Sequence, residues 1–361
     1  MAVLLPFCRD VYYNFKGEFV FIKSFPIKSL LLSLSATALL SISYSGIANS
    51  QLPILTIYTY ESFASEFGPG PVIKTEFEKT CECEVKFVGV ADGVTLLNKI
   101  RQEGKDSTAD IILGLDNNLL QEAVDTGLFA PSNVNLQDLD LPFGWATNLF
   151  IPYDYGFFSF VYDKNKTKEI PVSLKELVYS DKPWTIIYQD PRTSTPGLGL
   201  VLWMQTVFGD DSPDAWANLA KKTVTVTKGW SESYALFLKG EADFVLSYTT
   251  SPAYHITEEN KDNYAAVDME EGHYLQIEIA GKLASTPHPE LADKFMQFMI
   301  SPKFQSVIPT TNWMYPVTSD ATKPASFAQL ALPKHALEYG AVEVADGKQN
   351  WVNIWQKAVS Q

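Results

Sequence analysis

The chain has 361 residues, 46% of them apolar, and a formal net charge of −14. That length and apolar content suffice for two domains with true cores and exclude a disordered or low-complexity protein. The acidic balance argues against a nucleic-acid partner and suits a cationic ligand.

The first element in chain order is a leader. Residues 29–48, SLLLSLSATALLSISYSGIA, are apolar and uncharged and follow Lys16, Lys23 and Lys28. Ala48-Asn49-Ser50 puts small residues where a signal peptidase reads, so residues 1–50 read as a signal peptide with an extended n-region, cleaved near Ser50. Its Ser and Gly content would make a poor membrane-spanning helix. Cys8 leaves with the leader, and Cys81 and Cys83 remain in TCECEV. In an extended segment, positions i and i+2 lie at the edge of the Cα separation a disulfide permits, so a local bridge and two free thiols both stay open. None of the four histidines has a recognisable ligand spacing, and no metal site is expected.

The next hundred residues alternate strands and helices. PILTIYTY (53–60), CEVKFVGV (83–90) and ADIILGLD (109–116) read as strands, and VIKTEFEKT (72–80), GVTLLNKIRQEG (93–104) and NNLLQEAVDTGLF (117–129) as helices. Such alternation predicts a parallel sheet with helices on both faces. A long aromatic strand follows at 150–164, and the rhythm restarts with WTIIYQD, the loop and helix DPRTSTPGLGL, VTVTKGW, SESYALFLKGEA and DFVLSYTTSPAYH. A second long strand, HYLQIEIAGKL (273–283), precedes the helix ELADKFMQFMIS (290–301). Two long strands bracketing a β/α block predict two lobes crossed twice by the chain. The expected division is 51–155 for the first part of lobe 1, 156–276 for lobe 2, and 277–361 for the rest of lobe 1 with C-terminal helices.

In open α/β sheets, ligands sit beyond the carboxyl ends of the strands, so the chemistry is sought in the loops that follow them. Those loops hold Tyr58, Tyr60, Trp230, Tyr248 and Tyr254 beside Ser194, Thr195, Thr249, Thr250 and Ser251, with Asp92 and Asp116 as the acids. Aromatic faces with a carboxylate suit a flat cationic ring, and hydroxyls at helix starts suit an anion such as phosphate. In DPRTSTPGLGL the glycines match neither a phosphate-hydrolysing loop nor a dinucleotide fingerprint, and Thr195-Pro196 reads as helix-start chemistry. No catalytic constellation emerges from the motifs.

Taken in order, these stretches resemble the periplasmic thiamine-binding proteins of bacterial ABC importers. The matching runs include YTYESFASEFGPGPV, DGVTLLNKIRQEGK, ADIILGLDNNLL, IPYDYGFFSFVYDKNK, IYQDPRTSTPGLGLVLWMQ, KKTVTVTKGWSESYALFLKGEAD, LSYTTSPAYH and NWMYPV. They extend from residue 53 and weaken after about Thr318. The resemblance implies an α/β protein of the two-lobed type II periplasmic binding fold, with two crossover strands and a cleft between the lobes. It also implies a non-catalytic, monomeric periplasmic protein without a cofactor. Such a protein binds thiamine, thiamine monophosphate and thiamine diphosphate and delivers them to a permease coupled to an ATPase.

Carried over by position, Asp92 and Gly93 fall near the aminopyrimidine end of the ligand, Ser194 and Thr195 on loop contacts, and Trp230 on an aromatic wall. Tyr248, Thr249, Thr250 and Ser251 fall on a further contact segment, with Tyr60, Tyr254 and Trp313 at neighbouring positions. The N-terminal extension and the tail ASFAQLALPKHALEYGAVEVADGKQ depart from the family pattern. Two alternatives share the architecture. A thiamine-degrading enzyme would need a cysteine nucleophile in the cleft, and a ferric-ion binder would need paired tyrosines.

Overall fold

The computed structural model describes residues 52–330 and 332–360, so the signal-peptide expectation for residues 1–50 lies outside the described residues. β1 (Ile54–Tyr60), α1 (Gly70–Cys81), β2 (Glu84–Val90), α2 (Gly93–Glu103) and β3 (Ile111–Asp116) occur in the expected order, with ends shifted by at most two residues. β1 pairs in parallel with β2 and β3. The helix expected over 117–129 is shorter, Leu120–Asp125. Asp116 holds the N–H groups of Asn118 and Leu119 in a turn and delays its start, and Gly127, at φ +64°, ends it.

β4 (Phe150–Asp163) serves two sheets. Its first half pairs with β8 (His273–Leu283), and its second half pairs with β7 (Phe244–Tyr248). Between them in sequence lie β5 (Ile186–Gln189), α3 (Thr195–Phe208), α4 (Ser212–Lys222), β6 (Thr223–Thr227) and α5 (Trp230–Leu238), with α6 (Pro252–Glu258) after β7. The strand order is β2-β1-β3-β8-β4-β7-β5-β6. β4 and β8 are buried along nearly their whole lengths and tie two curled sheets into the two lobes of an α/β fold. The expected parallel sheet is therefore mixed. β8 runs antiparallel to both β3 and β4, because the long strands cross between lobes instead of returning through a helix. α7 (Pro289–Met299) covers lobe 1 with Phe295, Met296 and Met299, and α8 (Ala341–Val359) packs on α3 and α4.

Cys81 and Cys83 are joined in a disulfide with a Cα separation of 5.1 Å. Intervening Glu82 takes a left-handed conformation, φ +52°, as the C-cap of α1, so the two cysteines flank a tight turn and not an extended segment.

α3 is apolar around its whole circumference and buried along most of its length, as a helix wedged between layers must be. Its glycines are explained by close approach. A Cβ at Gly197 would lie 2.3 Å from the Gln189 carbonyl oxygen, and one at Gly199 2.0 Å from the buried Phe158 ring. In an open helix, Gly→Ala gains about 1 kcal/mol. Here overpacking reverses the sign, since forcing a methyl into a filled core costs about 1–3 kcal/mol. Gly199→Ala should therefore lower the unfolding free energy measured by urea denaturation; an unchanged or raised value would remove this account of the glycine.

Candidate functional site

A cavity of about 360 Å³ opens between the lobes at the carboxyl ends of the strands. Its aromatic lining comprises Tyr60, Trp230, Tyr234, Tyr248, Tyr254 and Trp313, and Phe67, 83% exposed, stands at its rim. Among the described residues no lysine or arginine lines it, while Asp92 and Glu278 do.

The Asp92 carboxylate gathers three helix starts. Oδ1 accepts from the Gly93 N–H at 2.7 Å, the Thr195 N–H at 3.2 Å and the Thr195 hydroxyl at 3.1 Å. Oδ2 accepts from the Ser194 hydroxyl at 2.8 Å and the Trp230 N–H at 3.3 Å. The positive ends of α2, α3 and α5 thus converge on one buried anion. Burial holds its carboxyl above the ordinary value, against the opposing hydrogen bonds from Gly93, Ser194 and Thr195. The approach is tight: a Cβ on Gly93 would lie 2.6 Å from the Thr195 methyl.

Trp230 stacks on Tyr234 with ring centroids 4.9 Å apart, and its indole N–H donates to the Ser247 hydroxyl at 2.8 Å. Ser251 bonds the same hydroxyl at 2.7 Å, so the strand end and the α6 start fix the indole. Behind the pair, the Tyr234 hydroxyl meets His255 Nε2 at 2.9 Å, and burial lowers the imidazole pKa. Tyr248 donates to Gln276 at 2.6 Å. Trp313 has a left-handed backbone, φ +58°, after the turn Ile308–Thr311, a place where glycine is usual. That conformation carries its indole to the cavity, edge-on to Tyr254 at 5.6 Å.

Of the residues expected from sequence, Tyr60, Asp92, Thr195, Trp230, Tyr248, Ser251, Tyr254 and Trp313 line this cavity. Gly93 and Ser194 sit directly behind it, bonded to Asp92. Thr249 lines a different hollow, with Tyr264 and His273, and Thr250 is wholly buried. The disulfide holds both Cys81 and Cys83 outside the cavity lining.

The match to a family model described as bacterial extracellular solute-binding protein spans residues 66–306. The chain is 63% identical over 309 residues to the thiamine-binding periplasmic protein of Escherichia coli (strain K12), covering 86% of this chain and 94% of that one. It is 49% identical over 332 residues to the protein of that name from Brucella suis biovar 1 (strain 1330), covering 92% and 99%. A solved periplasmic thiamin binding protein superposes with a TM-score of 0.85 at 62% identity, covering 86% of this chain and 97% of that one. The chain belongs to the bacterial extracellular solute-binding proteins.

Sequence reading missed part of this solute-binding cavity, namely Ser62, Ser65 and Phe67 at the rim, Tyr234 on α5, and Glu278 and Asn312 within it. Glu278 did leave a signal, because a carboxylate inside the continuously buried strand HYLQIEIAGKL needs a partner or a purpose. Asp154 in FIPYDYGFF is a second case. Tyr234 left none, since a helical tyrosine facing a lobe core reads the same as one facing a cleft.

Removing the Asp92 carboxylate would strand several buried donors at once, each costing about 1–3 kcal/mol if it stays dry. Asp92→Ala should therefore destabilise the fold by about 2–4 kcal/mol in chemical denaturation. A loss under about 0.5 kcal/mol, the range of ordinary surface changes, would mean the three helix starts do not depend on it.

Proposed function

We propose that this chain is the extracytoplasmic substrate-binding component of an ABC importer. It binds thiamine, thiamine monophosphate and thiamine diphosphate in the cavity and hands them to a permease driven by an ATPase. The observation that carries the reading is a cavity walled by six aromatic side chains, bordered by buried carboxylates and lined by no basic residue. The extensive identity to thiamine-binding relatives adds to it. Thiamine combines a flat, permanently charged thiazolium with an aminopyrimidine. Aromatic faces attract the cation, and acceptors suit the amino group.

The residues expected to hold the ligand are Asp92, Thr195, Trp230, Tyr248 and Ser251, with Gly93 and Ser194 supporting Asp92 and Tyr60, Tyr254 and Trp313 completing the walls. Phosphate recognition would draw on donors that Asp92 leaves uncommitted, such as the hydroxyl and N–H of Ser231 at the start of α5. Neutral donors of this kind let one site take free and phosphorylated vitamin, because no buried cation is left unpaired when phosphate is absent. Closure of the lobes would bury the ligand. The reading is of a monomeric periplasmic binder that leaves the vitamin intact, and no cofactor is needed.

Titrating tryptophan fluorescence with thiamine and its two phosphates should give a saturable response for each in protein stripped of carried-over ligand. Trp230→Ala should weaken all three by roughly tenfold, through loss of stacking and cation–π attraction. No response to any of the three would overturn the reading. Disappearance of thiamine on incubation with the protein and a nucleophile would overturn its non-catalytic part.

A further inference from the structure

Strands β4 and β8 are antiparallel neighbours, and their register sets Asp154 directly opposite Glu278. Opposed side chains on such a pair project from one face, where like charges repel. Both residues are buried, at 0% and 6% exposure. Glu278 Oε2 accepts from the Tyr60 hydroxyl at 2.7 Å and the Tyr153 hydroxyl at 2.8 Å. Asn312 Nδ2 donates to Asp154 Oδ2 at 2.7 Å and to Glu278 Oε2 at 3.2 Å. Asp154 Oδ1 is buried without a partner.

Among the described residues, the other groups that face the pair are neutral or acidic. Tyr60 comes from β1, Tyr153 from β4, Tyr248 from β7 and Asn312 from the turn before Trp313. Asp92 and Asp116 add negative potential from the two loops beside them. Burial first, and mutual repulsion after it, hold the Asp154 carboxyl well above its ordinary range. Two buried carboxylates without a counter-ion do not both ionise, so the pair keeps a proton, which the facing Asp154 and Glu278 carboxyls share as a hydrogen bond. Glu278 also lines the aromatic cavity, so a cation stacked there would reach the charge that the protein itself leaves uncompensated.

We propose that the Asp154–Glu278 pair is the counter-ion for the fixed positive charge of the bound ligand, holding one proton in the free protein and releasing it when the cation enters. The carboxyl O–H bond breaks, the proton goes to solvent, and nothing is oxidised or reduced. The proposal rests on the thiamine reading, with the thiazolium as the cation, and adds two residues to it that reasoning from the strand-end loops did not reach.

The sign of the pH effect is fixed by the proton balance. A bound cation lowers the pKa of the pair, so binding expels a proton and affinity rises with pH, by up to about tenfold per pH unit for one proton released. Asp116, pushed up to about 7 chiefly by burial, could add its own pH dependence and must be separated from the pair by mutation.

The experiment measures wild-type affinity for thiamine from pH 5 to 8, with proton release read by calorimetry in two buffers of different ionisation enthalpy. A neutral analogue carrying an uncharged aromatic ring in place of the thiazolium is measured alongside. Thiamine should bind more tightly as pH rises and release a proton, and the analogue should bind more weakly without that slope. Glu278→Gln and Asp154→Asn should each flatten the thiamine slope and narrow the gap to the analogue, with Asp116 intact. Wild-type binding that is independent of pH and releases no proton overturns the proposal, as does an equal slope for the neutral analogue or a slope that survives Glu278→Gln. These wild-type measurements stand even if a variant fails to fold. Absence of thiamine binding at any pH overturns the thiamine reading as well, so the two failures are distinct.

Discussion

The cavity depends on one buried carboxylate. Asp92 leaves the β2 end of lobe 1 and meets donors from the starts of α3 and α5 in lobe 2. Three helix dipoles directed at one point would repel one another, and a formal negative charge at that point turns the repulsion into a tie. Uncompensated burial of a carboxylate would cost several kcal/mol, and five donors at 2.7–3.3 Å offset that cost. The bond between Thr95 N–H and the Thr193 carbonyl at 3.0 Å lies beside this contact and reinforces it. The same geometry that holds the loops together therefore sets the separation of the lobes at the cavity edge in this conformation, and opening the cleft would break it.

The walls rest on that anchorage. Trp230 is the first residue of α5, so the N–H that binds Asp92 and the indole that faces the cavity belong to one residue. Tyr234, one turn later, supports the indole from behind, and His255 supports Tyr234. This aromatic column is braced by Ser247 at the end of β7 and by His255 on α6, which leaves its rings little rotational freedom. A rigid aromatic face loses little entropy when a flat ligand stacks on it.

The legibility of this molecule in its sequence follows the range of the interactions involved. β1 through β3 and their helices were readable because their signals are local: alternating apolar residues, an Asp before Gly93, a helix face in α7. The long strands β4 and β8 announced themselves by aromatic and apolar runs, but their antiparallel pairing is a fact about residues more than a hundred positions apart, and nothing local encodes it. The candidate site divides in the same way. Residues at strand ends were found because topology places such ends at a cleft. Glu278 and Asp154 lie within strands, where position along the chain says nothing of a cavity, and only their chemistry in an apolar context marked them. Thr249 and Thr250 lie off the cavity for the opposite reason. A run of hydroxyls after a strand looks uniform in sequence, yet a turning chain points successive side chains to different sides, and only Tyr248 and Ser251 of that run reach the cavity.

A left-handed backbone at Trp313 and the uncompensated Asp154–Glu278 pair meet at the cavity wall. Trp313 takes a left-handed backbone that costs a non-glycine residue about 1 kcal/mol or more, and it does so at the cavity wall. Neighbouring Asn312 reaches Tyr60, Asp154 and Glu278 through one amide, so the turn that places the indole also bridges the two acids. A sequence selected only for stability would relieve both features with a glycine and an apolar pair, since replacing buried ionisable groups by well-packed apolar ones is often neutral or stabilising. Their presence together, on one turn and at one cavity, is the mark of a surface shaped for something other than the chain's own packing.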